Sequence, residues 1–190
     1  MADISALGEL RPVEPLDLEN YKENQALPPL PPAGVYTLQA PDTFPPLTRS
    51  QKSGAMLVQI DPKIVGPTNQ GFPIRFTKVS AKTYKRGGTN VSQLGDYFKA
   101  CGLMGRYEDE AAQAEAVDQT ANRTYQAEVD WKVWNKATQT EVVGMEKFPS
   151  DGNGGHEPYY YTGEKDESGN PIKLRANLVI SRFIPASESV

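Results

Sequence analysis

The sequence holds one cysteine, Cys101, and one histidine, His156. A lone cysteine cannot close an internal disulfide, and the two residues fall short of the ligands that a structural zinc site needs. A catalytic zinc needs about three protein ligands, and a Cys–His nucleophile pair needs its two groups together. Cys101 lies instead on the apolar side of a predicted helix, next to Ala100 and Leu103, and reads as a buried thiol. His156 falls in a glycine-rich loop. No apolar run approaches the roughly 18 residues that span a membrane. The first residues, Met1-Ala2-Asp3-Ile4-Ser5, carry acid where a secretory signal carries base, so the expected location is cytoplasmic. The phosphate-cradling pattern GxxxxGK[ST] is missing, and Gly87-Gly88 does not supply it. Carboxylates gather in runs such as Glu108-Asp109-Glu110 and Asp166-Glu167, which read as solvated, and no set spread over several elements suggests a two-metal centre. Together these absences predict a chain that is not an enzyme and holds neither metal nor cofactor.

What the chain does have is unevenly placed charge. Hydrophobic residues make up 38% of the 190, and the mean hydropathy is -0.55, so the expected core is modest. The net charge is -4, yet residues 45–106 hold ten basic and only two acidic residues. Residues 1–44 hold two basic and seven acidic, and residues 107–190 hold eight basic and fifteen acidic. A basic middle between acidic ends suggests a segment that binds a polyanion. The alternative is a solvated face whose charges pair within the fold.

Residues 1–33 read as an acidic arm ending in Leu27-Pro28-Pro29-Leu30-Pro31-Pro32, a stretch that favours polyproline II. A domain is predicted over 34–185, with 186–190 as a short tail. Its first strand is Val35 to Ala40 and its second Ala55 to Ile60, where Met56, Val58 and Ile60 alternate with polar residues. Phe72 to Tyr84 reads as a third strand that stops at Gly87-Gly88. Val91, Leu94, Phe98 and Cys101 then recur at helical spacing, with Thr89 or Asn90 as cap and Gly102 as stop. A second helix, Glu108 to Asp118, is expected to be exposed. Arg123 to Lys136 is a long fourth strand with Tyr125, Ala127, Val129, Trp131 and Val133 on its apolar face. Residues 137–172 read as a hairpin and loop excursion, and Lys173 to Ile184 as the last strand, with Leu174, Ala176, Leu178 and Ile180 inward. Three strands, a helix and two strands predict a mainly β (α+β) fold. The specific expectation is a five-stranded OB-type Greek-key barrel with a helix between strands three and four.

Four segments carry a resemblance. They are Pro32-Ala33-Gly34-Val35-Tyr36, the Lys52-Ser53-Gly54 turn before Met56 to Ile60, the helix end Lys99-Ala100-Cys101-Gly102-Leu103, and Tyr125-Gln126-Ala127-Glu128-Val129-Asp130-Trp131. In this order the chain resembles the phage-encoded single-stranded-DNA-binding-like proteins with an OB core. It departs from them in its acidic N-terminal arm, in its long 137–172 segment, and in a C-terminus without an acidic, aromatic-ended tip. The resemblance implies sequence-independent coating of single-stranded DNA during replication or recombination of a phage genome, in the cytoplasm of an infected bacterium. The rival reading is a phage structural or decoration protein that makes protein–protein contacts, its arm lacing neighbouring subunits. Self-association is open under both.

Non-specific single-strand binding needs cations along a groove and exposed aromatics for base stacking. On the predicted third strand Phe76, Lys78, Ser80, Lys82 and Tyr84 share parity and so one face. Lys85 and Arg86 follow directly. Alternatively, Phe76 and Tyr84 belong to the core. On the fourth strand Trp131 falls on the apolar face and Trp134 on the polar one, between Lys132 and Lys136. Trp134 either stacks on bases or packs under the 137–172 excursion. Arg49 and Lys52 lie in the loop between strands one and two, where an OB barrel contacts its ligand. Three successive tyrosines, Tyr159-Tyr160-Tyr161, cannot all face inward. The acidic arm is expected to compete with DNA for the basic face in a diffuse, electrostatic way.

Overall fold

The computed structural model describes residues 29–136 and 138–186. Within them the chain is mainly β, and its principal sheet curls into a half-barrel closed at one end by helix.

The longest element is β8, Thr124–Asn135, and its burial alternates strictly: Tyr125, Ala127, Val129, Trp131 and Val133 are buried. A period-two apolar pattern can only satisfy a two-faced strand, so this stretch organises the sheet. β1 (Gly34–Gln39) pairs antiparallel along one side of it, from Gly34 opposite Val129 to Gln39 opposite Thr124. β12 (Asn177–Ile184) pairs along the other side, with a bulge between Ile180 and Arg182. β9 (Thr140–Val143) turns back on the far end of β8, and β4 (Lys63–Ile64) lies against β1. A second sheet is formed by β2 (Thr48–Arg49), β3 (Met56–Gln59) and β5 (Lys78–Ser80), in the order β2-β3-β5.

The two sheets share chain. β3 continues into β4 through Ile60, Asp61 and the buried Pro62, and residues 72–80 follow it closely. Ile74 N–H donates to Pro62 O at 2.8 Å and Ile60 N–H to Thr77 O at 2.9 Å. At Asp61 the ladder is interrupted, and its carboxylate fills the gap by accepting from Thr77 N–H at 2.8 Å. The expected third strand, Phe72 to Tyr84, is therefore not continuous. Only Lys78–Ser80 forms a strand with β3, because Phe76 takes a left-handed φ of 59°. Tyr84 to Val91 is a separate hairpin of β6 (Tyr84–Arg86) and β7 (Thr89–Val91). Gly87 and Gly88, at φ 56° and 83°, make its two-residue turn, a conformation that suits type I′.

α1 (Gln93–Ala100) is capped by Ser92, whose hydroxyl accepts from Gly95 N–H, so Thr89, Asn90 and Val91 stand outside the helix. α1 packs on β5, β8 and β12 and seals one end of the half-barrel. Tyr97, fully buried, meets Tyr125 edge-on with ring centroids 5.4 Å apart and Phe183 at 5.6 Å. α2 (Glu110–Gln119), capped by Asp109, is not wholly exposed: Ala116 and Val117 are buried, and Tyr97 Oη bonds Thr120 Oγ1 at 2.8 Å just beyond its end. Cys101 is buried, which pushes its thiol up to about 12.

The last expected strand is two strands. β11 (Pro171–Arg175) pairs with β10 (Tyr159–Lys165) as a hairpin, and the chain breaks at Ala176 before β12. Packing begins ahead of Gly34, since Pro31 is buried and its carbonyl accepts from Trp131 Nε1 at 2.7 Å. The rest of the arm and the tail from Ser187 lie outside the described residues. Among those described, no helix is long and apolar enough to cross a membrane.

Candidate nucleic-acid interface

Among the described residues, β12 has a hydrogen-bonded strand neighbour only in β8, and β5 only in β3. These two strands end their sheets, and no ladder joins them. A groove of about 490 Å³ runs between them, with walls from both sheets. Arg75, Phe76 and Lys78 come from the β5 side, and Lys132 and Trp134 from β8, with Val179 of β12 between. At the helical end Gln93 joins the α1 start to the β5 edge by accepting from Ser80 N–H at 3.2 Å. A recess of about 350 Å³ adjoins the groove and shares Arg75, Phe76, Asn177 and Leu178 with it.

Each wall presents an aromatic side chain to solvent. Trp134 is 46% exposed because the β8 alternation that buries Trp131 turns it outward. Phe76 is 80% exposed, and its positive φ is rare for a bulky residue. The break opposite Asp61 turns it out of the sheet. Beside these rings the cations differ. Lys132 forms an ion pair with Glu141 across the β8–β9 ladder. Arg75 and Lys78 form no ion pair among the described residues, while Glu141, paired with Lys132, also lines the groove.

Of the residues expected to bind, the groove therefore brings together Phe76, Lys78, Lys132 and Trp134. Tyr84, Lys85 and Arg86 stand on the exposed β6–β7 hairpin, where the Arg86 guanidinium lies 5.9 Å from the Tyr84 ring centroid. Tyr84 is thus not on one strand face with Phe76 and Lys78, as parity suggests. Lys82 is exposed between β5 and that hairpin, and Lys136 is exposed just past β8. Lys52 is exposed in the turn before β3. Arg49 sits elsewhere, clamped by Glu110 through two bonds of 2.8 and 2.6 Å. That guanidinium holds the Glu110 carboxyl below its ordinary range. Of the three tyrosines, Tyr161 is the most exposed, Tyr160 packs near Phe148, and Lys173 Nζ lies 4.6 Å from the Tyr159 ring centroid.

Arg75 is the residue that sequence reasoning misses. Strict alternation puts it on the inward face with Thr77 and Val79. The left-handed turn at Phe76 breaks that alternation, and no signal in the local sequence marks the break.

Residues 30–155 match a family described as a protein of unknown function, DUF669. The chain belongs to the DUF669 family. No curated protein and no solved structure matches it. The span matched to DUF669 begins at Leu30, which packs against the core, and includes the β5 wall, Lys132 and Trp134. β12, which forms the facing edge, lies beyond it.

Proposed function

We propose that the chain binds single-stranded DNA without sequence preference, in the groove between β5 and β12. The observation that carries this reading is the pairing of two solvent-exposed aromatics, Phe76 and Trp134, with the cations Arg75 and Lys78, which form no ion pair among the described residues, in one open groove. A base offers a π-face to either ring, and the phosphates beside it meet positive charge. An apolar small-molecule pocket would instead enclose its rings and bury most of its ligand. A duplex keeps its base faces stacked against one another, whereas the bases of a single strand are free to meet the two rings.

An OB-type arrangement agrees with the order of neighbours. The first strand β1 pairs with the β3–β4 strand and with β8, the β3–β4 strand pairs with β5, and β8 pairs with β12. The helices stand between β5 and β8, as in that barrel, and the β5–β12 seam is left open. The resemblance to phage single-strand binders supports a role in phage DNA replication or recombination, inside the infected cell.

Titration of a dT oligonucleotide against a duplex of the same length, followed by tryptophan fluorescence, tests the reading. Single strands are expected to bind more tightly and to quench Trp134. Trp134→Ala is expected to weaken binding by about 1–3 kcal/mol with a near-native melt. Equal binding of duplex and single strand, or no binding of either, would refute it. Self-association without DNA binding would favour the structural-protein reading.

A further inference from the structure

Three cations line the groove, Arg75, Lys78 and Lys132, and among the described residues one carboxylate does, that of Glu141. An acid in a groove for a polyanion needs a cause. Glu141 stands on β9 directly across the ladder from Trp134, and Lys132 lies two residues before Trp134 on β8. Cross-strand partners and alternate residues share a face, so Lys132, Trp134 and Glu141 project together. From there the carboxylate reaches diagonally to the Lys132 ammonium and pairs with it. The other acids on this face of β8 are held elsewhere. Glu128 pairs with Arg182, and Asp130 accepts from the backbone N–H groups of Trp131 and Met145. Neither lines the groove. The Lys132 and Glu141 side chains keep 36% and 46% of their surface in water, so their pair adds little to stability and opens at little cost.

A backbone phosphate offers Lys132 the same kind of acceptor as a carboxylate, a charged oxygen. A strand that lays a base on Trp134 therefore gains Lys132 only by taking it from Glu141. It then leaves that carboxylate unpaired beside its own phosphates. On the opposite wall Arg75 and Lys78 form no ion pair among the described residues, so contact there needs no exchange. We propose that Glu141 is a built-in competitor for the strand at Lys132, which loosens the grip of the β8–β9 wall and leaves the β5 wall to hold. The competition rests on the nucleic-acid reading above.

Titration of a fluorescent dT oligonucleotide over a salt series compares the wild type with Glu141→Gln, which keeps the shape and removes the charge. Glu141→Gln is expected to tighten binding at low salt by up to about fivefold, the most that an exposed ion pair holds back. It is also expected to steepen log K against log salt by about one, for the phosphate gained. Adding Lys132→Ala is expected to cancel both gains. Glu164→Gln removes an equal charge from an exposed position on β10 outside the groove and is expected to change neither quantity. Unchanged binding by Glu141→Gln would overturn the competition, as would a gain that Glu164→Gln matches or that survives Lys132→Ala. Weaker binding would overturn it too and assign the carboxylate to a hydrogen bond from the bases. The pair is also read without DNA, because a paired ammonium gives up its proton reluctantly and acylates slowly. Acylation of Lys132 by an N-hydroxysuccinimide ester is expected to quicken in Glu141→Gln while that of Lys78 does not. Equal Lys132 rates would overturn the inference whether or not the chain binds DNA. If neither the wild type nor Glu141→Gln binds the oligonucleotide, the nucleic-acid reading fails and the competition fails with it.

Discussion

Phe76 holds a φ of 59° and leaves 80% of its surface in water. A side chain with a Cβ costs about 1–2 kcal/mol in the left-handed region, and an exposed phenyl regains little by burial. Asparagine enters that region more readily. Phe76→Asn is therefore expected to raise stability by up to about 1 kcal/mol in denaturant unfolding, while weakening single-strand binding. A lower unfolding midpoint would show that the ring contributes to packing. The two tryptophans, by contrast, are separable from sequence. Trp131 and Trp134 differ in parity on a regular strand, and parity alone places one inside and one outside. Phe76 and Arg75 sit where the strand is irregular, so the same rule gives Phe76 an outward place through false continuity and hides Arg75.

At the level of elements, legibility follows regularity. β8 is legible nearly to its ends because twelve residues alternate without a fault. The Phe72–Tyr84 stretch reads as one strand because its polar and apolar residues also alternate. The left-handed turn at Phe76 breaks it. The β6–β7 hairpin escapes notice although Gly87-Gly88 is a standard hairpin turn, since Val91 fits the spacing of the helix that Ser92 in fact begins. That hairpin carries Lys85 and Arg86 into solvent with no ion pair among the described residues. If both meet phosphate, the double change Lys85→Ala and Arg86→Ala should lower the slope of log K against log salt by about one for each phosphate no longer neutralised. An unchanged slope would place the hairpin off the path of the strand.

For the molecule as a whole, acid is the more revealing perturbant. Arg49 and Arg182 hold the Glu110 and Glu128 carboxyls low, and backbone N–H groups do so for Asp151 and Asp166. These groups favour the folded state above their unfolded values near pH 4 and lose that effect as pH falls through their depressed ones. All are solvent-screened, so the melting temperature is expected to stay level down to about pH 5 and then decline gradually. A melting temperature that rises on acidification would contradict the assignment. Cys101 acts in the opposite sense, its contribution fading as pH climbs from about 8.5 toward about 12.

The missing ladder between β5 and β12 has a mechanical consequence. Paired strands are held about 4.8 Å apart by their hydrogen bonds, but nothing of that kind spaces these two. Their spacing rests on side-chain packing instead, and α1 lies against both of them. A change in how α1 packs is therefore expected to alter the width of the groove while leaving Phe76 and Trp134 unchanged.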